Sequence, residues 1–303
     1  MKDCFFLVGP TASGKSQLAV ELAQRCDAEI VSADAFQIYR GLPTLTAQPN
    51  ETSLRQVPHH LIGTLPLSAE MSAAKFRALA LPVIAEIQAR GKRVLIVGGN
   101  GLYVKALTHG LAPLPAVDQG LRDELNALSL DELNSRLAAV DSLGANTVDR
   151  RNKRRVVRAL EIFAQTNSPA SAQRTEWKEE RAAAHGAFVF HEREMLYARI
   201  NERVREMFDE GVVEEVASVR QVSSTGEKTL GLAEIRRLLR GEISEAECIA
   251  AIAQATRRYA KRQLTWFRRQ SNFAPLNLSS FKDAGAVLAC LEQMARRAFE
   301  SAA

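Results

Sequence analysis

The chain has 303 residues, 46% of them apolar and 25% charged, and carries a net charge of +5. That length fits one large domain or a core with a smaller companion, and either buries a sizeable apolar interior. No apolar run approaches the roughly 20 residues needed to cross a bilayer, which excludes a membrane-spanning helix.

Lys2 and Asp3 lead straight into a strand-like run without the basic-then-apolar profile of a secretory leader, so a cytoplasmic protein is expected. Cys4, Cys26, Cys248 and Cys290 are scattered without CxxC spacing. Four buried thiols are the expectation, not a zinc site or a disulfide framework.

Cys4–Val8 is a short apolar run ending at Gly9 and reads as a buried parallel strand. Lys15–Arg25 has helical periodicity, with Leu18 and Leu22 on one face. Glu29–Ala33 is a second strand, and Asp34 lies just past its end. Ala73–Arg90 predicts a helix with Phe76, Ala80, Val83, Ile84 and Ile87 on its apolar face, kinked at Pro82 and stopped by Gly91. Arg93–Val97 is a third strand, entering Gly98-Gly99-Asn100-Gly101. Strands alternating with helices of this length indicate a doubly wound α/β core.

Ala112-Pro-Leu-Pro-Ala116 reads as a hinge, and residues 118 to 165 are almost wholly helical in pattern. Phe188–His191 returns one strand to the sheet, and the chain is helical again from Met195. The expected organisation is therefore a core of residues 1–115 and 188–303, interrupted by a helical insertion at 116–187 and closed by a basic helical section. Six of the nine residues in Arg150–Arg158 are Lys or Arg, and Arg257, Arg258, Lys261, Arg262, Arg268 and Arg269 form a second basic stretch. A solvated helix face accounts for either run alone; two runs together favour a polyanionic partner such as RNA.

Gly9-Pro10-Thr11-Ala12-Ser13-Gly14-Lys15-Ser16 fits G-x-x-x-x-G-K-[ST], with a strand before it and a helix after it. Glycines let consecutive N–H groups curl around phosphate oxygens, and the helix N-terminus adds partial positive charge. Lys15 neutralises phosphate charge, and the Ser16 hydroxyl is a candidate ligand for Mg²⁺. The loop points to a bound diphosphate or polyphosphate and does not single out ATP. An NTPase-type strand ending in Asp is missing, because Val94–Val97 runs into glycines. The carboxylate stands at Asp34 instead, at a strand's carboxyl end where open α/β sheets bind ligands; a general base and a turn aspartate are both consistent with that place.

Five further segments occur in order: Ser32-Ala33-Asp34-Ala35-Phe36-Gln37-Ile38-Tyr39-Arg40-Gly41, Pro58-His59-His60-Leu61-Ile62, Gly98-Gly99-Asn100-Gly101-Leu102-Tyr103, Arg158-Ala159-Leu160-Glu161 and Tyr259-Ala260-Lys261-Arg262-Gln263-Leu264-Thr265-Trp266-Phe267-Arg268. With the phosphate loop they resemble the bacterial tRNA dimethylallyltransferases, from Phe5 to about Arg268. The resemblance implies a P-loop NTPase-like parallel-sheet core with a helical insertion domain. It also implies dimethylallyl diphosphate as donor, Mg²⁺ as cofactor, and the exocyclic amine of adenosine 37, beside the tRNA anticodon, as acceptor.

By that resemblance Asp34 is the catalytic base, assisted by Lys15 and Asn100. Gly9 to Ser16 and Lys228 hold the diphosphate. Asp34, Ala35, Phe36, Gln37 and Asn100 line the acceptor side, with Gln37 bonding a base taken out of its stack. Arg122, Arg154, Arg155 and Arg158 clamp the anticodon stem-loop, and a monomer suffices for that. Trp266 and Phe267 are read as core residues, and His59 and His60 as hydrogen-bonding groups with no metal-ligand spacing around them.

The chain departs from the family pattern at Ala35, where Ser is usual, at Leu45 and Gln48 in the Gly-Thr-Ala-Lys-Pro segment, and at Asn100, where Thr is usual. It departs also at Asn152, Lys228 and Leu232. Two other readings follow: a small-molecule or nucleotide kinase, which also pairs a P-loop with an aspartate after the second strand, and a non-catalytic RNA-binding relative.

Overall fold

The structure is a computed structural model, and it describes residues 3–112, 114–173, 185–270 and 272–300. It divides into two compact units, one made of Met1–Thr108 with Ala183–Ala303, the other of His109–Ala182. The first unit contains a six-stranded parallel sheet, ordered β3-β2-β4-β1-β5-β6. Its strands are β1 (Cys4–Val8), β2 (Ala28–Ser32), β3 (His59–His60), β4 (Arg93–Gly98), β5 (His185–Phe190) and β6 (Ala274–Asn277).

Of the four inner strands, β1 and β4 carry continuous apolar runs, Cys4–Val8 and Val94–Val97, because both faces of a parallel sheet are covered. Along β1, Cys4, Phe6 and Val8 point into one core with Phe76, Ile84, Tyr103 and Phe267. Phe5 and Leu7 point into the other, against Leu18, Leu22, Leu288 and Leu291 from the helices Lys15–Cys26 and Ala284–Glu300. The helix Ala73–Ala89 continues through Pro82, which lies on its exposed side.

Two strands and two boundaries differ from the sequence-based expectation. The short β3 carries no periodicity to detect. β6, Ala-Pro-Leu-Asn, breaks the expected all-helical close of the chain; Pro275 is tolerated because β6 is an edge strand paired on one side only. β5 begins at His185, three residues earlier than expected, since Gly186 packs where a side chain would meet the Phe6 carbonyl at 2.4 Å. The unit boundaries fall at 109 and 182 where 116 and 187 were expected. Of the four thiols Cys4, Cys26 and Cys248 are buried, and Cys290 is half-buried.

The carboxyl ends of the central strands are knitted together by backbone. Gly9 N–H donates to the Gly98 carbonyl (3.2 Å), Ala33 N–H to Val97 (2.7 Å) and Asn100 N–H to Ala33 (3.3 Å). A methyl at Gly98 would stand 2.3 Å from the Ala33 carbonyl oxygen, so only glycine admits this approach.

The second unit has its own core of Leu125, Leu133, Leu137, Val156, Val157 and Leu160. Its helices include Gln119–Ala127, Leu130–Val140, Ser142–Thr147 and Lys153–Thr166. Ser129 and Glu132 form a reciprocal cap on the second of these, and the Asn152 side chain accepts from Arg155 N–H to start the fourth.

Because the atoms facing Gly98 are backbone and cannot swing aside, Gly98→Ala is expected to lower stability by about 3 kcal/mol. The check is urea unfolding, read as a lower midpoint at unchanged slope.

Candidate active site

The phosphate loop turns on two left-handed residues, Gly14 (φ 83°) and Ala12 (φ 62°). Alanine is strained there, and side chains from distant helices hold the strained part. Arg199 Nε donates to the Ala12 carbonyl (2.9 Å), and Arg203 Nη1 donates to Thr11 Oγ1 (3.0 Å). Thr11 N–H donates to Gln263 Oε1 (2.9 Å), and Gln263 Nε2 donates in turn to the Gly99 carbonyl (2.9 Å). Both arginines come from the helix Arg193–Asp209 and Gln263 from the 23-residue helix Glu245–Phe267.

Lys15 is buried, and its ammonium donates to the Pro10 carbonyl (3.1 Å). Burial pushes it down to about 8, with Asp34 opposing the fall and Arg203 adding to it. Burial lowers Arg203 as well, again against the pull of Asp34, and its Nε is sealed from solvent without a partner among the described residues. Asp34 Oδ1 accepts from the N–H groups of Phe36 (2.9 Å) and Gln37 (3.3 Å). The turn role is therefore real, and it leaves the residue on the wall of a cavity. Tyr259, half-buried, is pushed up by burial and then by Asp34, so its phenol stays protonated.

That cavity, of about 50 Å³, is lined by Thr11, Asp34, Arg203 and Tyr259 at its polar part. Ile200, Val204, Met207, Leu230 and Ile252 supply apolar wall, and Thr229 contributes a buried Oγ1 without a partner among the described residues. A cation, a carboxylate and an apolar slot thus meet at the carboxyl ends of β1 and β2, with the charge of Asp34 also acting on the buried Lys15 of the loop.

The comparisons with known proteins point one way. A profile described as IPP transferase matches residues 37–270. A tRNA dimethylallyltransferase of Akkermansia muciniphila is 44% identical over 265 residues, covering 88% of this chain and 90% of the relative. One of Geobacter metallireducens is also 44% identical, over 87% of this chain and 88% of the relative. The chain belongs to the IPP transferase family. Among solved structures, the full-length tRNA isopentenylpyrophosphate transferase of Bacillus halodurans is 33% identical with a TM-score of 0.73, covering 100% of this chain and 98% of that one. A eukaryotic dimethylallyltransferase acting on tRNA, 24% identical with a TM-score of 0.81, shares the fold.

In this member of the family the sequence-predicted residues divide into groups. Gly9 to Ser16, Asp34, Ala35, Phe36, Gln37 and Asn100 are gathered at the strand ends, with Phe36 6.0 Å from the Tyr259 ring. Ser16 stands exposed in the first turn of its helix. Gln37 Oε1 accepts from Ser32 Oγ (3.1 Å), and its Nε2 donates to the Ala47 carbonyl (2.7 Å). Asn100 Oδ1 accepts from Leu102 and Tyr103 N–H (3.1 and 3.3 Å), capping the helix Gly101–Thr108. Lys228 is exposed, next to the cavity residue Thr229, and its charge acts on Glu70. Phe267 is core; Trp266 packs over Gly101. His60 bonds Glu29 at 2.7 Å, and no metal-binding group of three His, Cys, Asp or Glu occurs among the described residues.

Within the helical unit, Arg122 Nη2 (2.7 Å) and Arg158 Nη1 (3.1 Å) both bond the buried carboxylate of Glu161. Arg154 and Arg155 are exposed on the helix Lys153–Thr166. Arg199, Arg203 and Gln263 were not singled out from sequence. One of the three carries a legible signal: Gln263 stands between Ala260 and Phe267, where helical periodicity asks for an apolar residue, whereas Arg203 lies beside an unbroken stripe of Leu196, Ile200, Val204 and Met207.

Glu161→Gln removes the charge that two arginines share and is expected to cost about 2 kcal/mol. Arg154→Ala is expected to stay within about 0.5 kcal/mol of the parent. Chemical denaturation of the two variants side by side checks the contrast.

Proposed function

We propose that this protein transfers the dimethylallyl group of dimethylallyl diphosphate to the N6 amine of adenosine 37 in tRNA. The observation that carries the reading is the meeting of Arg203 and Asp34 on one apolar-walled cavity beside a phosphate loop whose buried Lys15 feels the charge of both. The two cations and the loop N–H groups bind the diphosphate and stabilise the charge that grows on it as the allylic carbon–oxygen bond breaks. The amine nitrogen forms the new bond to that carbon, and Asp34 takes the proton the nitrogen loses. Ile200, Val204, Met207 and Ile252 cover the five-carbon chain and keep water from the cationic carbon.

Gln37 retains a second hydrogen on its amide nitrogen and a second lone pair on its oxygen, which suit the edge of the adenine. The exposed Ser16 hydroxyl is a hard oxygen donor, which alone cannot cage a cation but would complete the shell of a Mg²⁺ brought in with the diphosphate. Bound there, Mg²⁺ supplies further neutralisation of the leaving diphosphate. In the helical unit, exposed Arg154 and Arg155 contact phosphates of the anticodon stem-loop; Arg122 and Arg158 converge on Glu161, which ties the helix Gln119–Ala127 to the helix Lys153–Thr166.

The test is transfer of labelled dimethylallyl to an anticodon stem-loop carrying adenosine 37, with Mg²⁺ and with ATP as a parallel donor. Incorporation should vanish with chelator, and Asp34→Asn should reduce turnover on the order of 100-fold or more while RNA binding persists. Phosphate moved from ATP without prenyl transfer would instead establish a kinase. In the same RNA, Arg154→Ala is expected to reduce the salt slope of binding by about 1 and Arg122→Ala to leave it unchanged, as titrations across salt concentrations will show.

A further inference from the structure

The carboxamide of Gln263 touches two segments that the chain separates widely. Its oxygen accepts from the first N–H after Pro10 in the phosphate loop, and its nitrogen donates to the Gly99 carbonyl in the turn after β4. The side chain is buried, 5% exposed, so neither bond competes with solvent. With one acceptor and one donor facing opposite partners, the amide has only one orientation that satisfies both.

The packing around it is matched to that contact. A methyl on Gly99 would stand 2.2 Å from Gln263 Nε2 and 2.8 Å from the Gly9 carbonyl oxygen, so the glycine is the space the amide occupies. On the loop side Thr11 is held twice, by Gln263 at its N–H and by Arg203 at its hydroxyl. Thr11 lines the cavity with Asp34, whereas Gly99 immediately precedes Asn100, the cap of the next helix. Alongside the backbone bond from Gly9 N–H to the Gly98 carbonyl, this amide is a second tie between the phosphate loop and the turn after β4, and it reaches further along both.

We infer that Gln263 is a positioning residue for the transfer reaction, holding the phosphate loop and the Gly98–Asn100 turn in register so that donor carbon and acceptor nitrogen are aligned. It touches neither substrate. It also takes the Thr11 N–H out of the set that receives phosphate, leaving the N–H groups nearer Gly14 for that task. The inference rests on the reaction proposed above.

The experiment is steady-state transfer with dimethylallyl diphosphate and the adenosine 37 stem-loop, comparing the parent with Gln263→Leu and Gln263→Glu. The first removes both bonds together with the Gln263 hydrogen bond to the Tyr259 side chain; the second is isosteric and keeps an acceptor for Thr11 N–H while losing the donor for Gly99. Misalignment by about 1 Å costs on the order of 100-fold in rate, so Gln263→Leu should lose about that much kcat while the KM for RNA is unchanged. Gln263→Glu should fall between it and the parent. Should Gln263→Leu not fold, Gln263→Glu decides: a lowered kcat at the parent's melting temperature and RNA KM supports positioning. Parental kcat in Gln263→Glu, or a loss confined to melting temperature or to RNA KM, overturns it. A parent protein that transfers nothing overturns the proposed reaction itself, and this inference falls with it.

Discussion

Lys15 and Arg203 are both withdrawn from water beside Asp34, with Glu206 also acting on Arg203, and the burial of these cations at the head of β1 is the constraint on which the rest of the site depends. Withdrawing cations from water is costly unless something anionic meets them. Asp34 supplies part of the compensation for both cations and Glu206 a further part for Arg203, yet burial still pulls Lys15 down to about 8. A diphosphate brings the missing negative charge. The protein keeps the site in this uncompensated state through a rigid frame: parallel strands buried on both faces, with glycines at positions 9 and 98 where backbone meets backbone.

The frame is assembled from both ends of the chain. The loop's amino acids lie within the first 16 residues, yet the groups that fix Thr11 and Ala12 belong to Arg199, Arg203 and Gln263. A phosphate loop excised with its own strand and helix would lack every one of these supports. Since contacts across nearly 200 residues or more must wait for the C-terminal helices to dock, the binding loop reaches its final shape late in folding. The helical unit has no such dependence for its interior, whose core and capping bonds are mostly local.

What the sequence made legible follows the range of the interactions involved. The phosphate loop was readable because its determinants are eight consecutive residues, and β1 and β4 were readable because burial on both faces leaves unbroken apolar runs. β3, with two residues, and β6, with a proline and exposed edge positions, offer no periodicity. Asp34 could be located but not separated from a turn aspartate, and the structure shows why: Oδ1 does bond the next turn while the residue lines the cavity. By charge alone Arg122 and Arg158 look like Arg154 and Arg155. Only the buried Glu161, a three-dimensional neighbour of the first pair, separates them.

The departures from the family pattern bear on whether this chain catalyses at all, and their hydrogen bonds answer most of the concern. Asn100 caps a helix, a task that asparagine and threonine both perform. Asn152 caps another, where aspartate does the same. Gln48 donates from Nε2 to the carbonyls of Gln37 (3.1 Å) and Tyr39 (2.7 Å), two donations that a lysine ammonium can also make. Leu232 is wholly buried among apolar neighbours, so an aliphatic residue there keeps the packing. Ala35, where serine is usual, and Leu232, where tyrosine is usual, each remove a hydroxyl without replacing its bond, and Ala35 packs partly buried against the core beside Asp34. A relative drifting away from catalysis would be expected to lose the buried charges first, since they cost the most to retain without a substrate. Lys15, Arg203 and Asp34 are all present, and the substitutions at Gln48, Asn100 and Asn152 have fallen on positions where another residue serves the same bond.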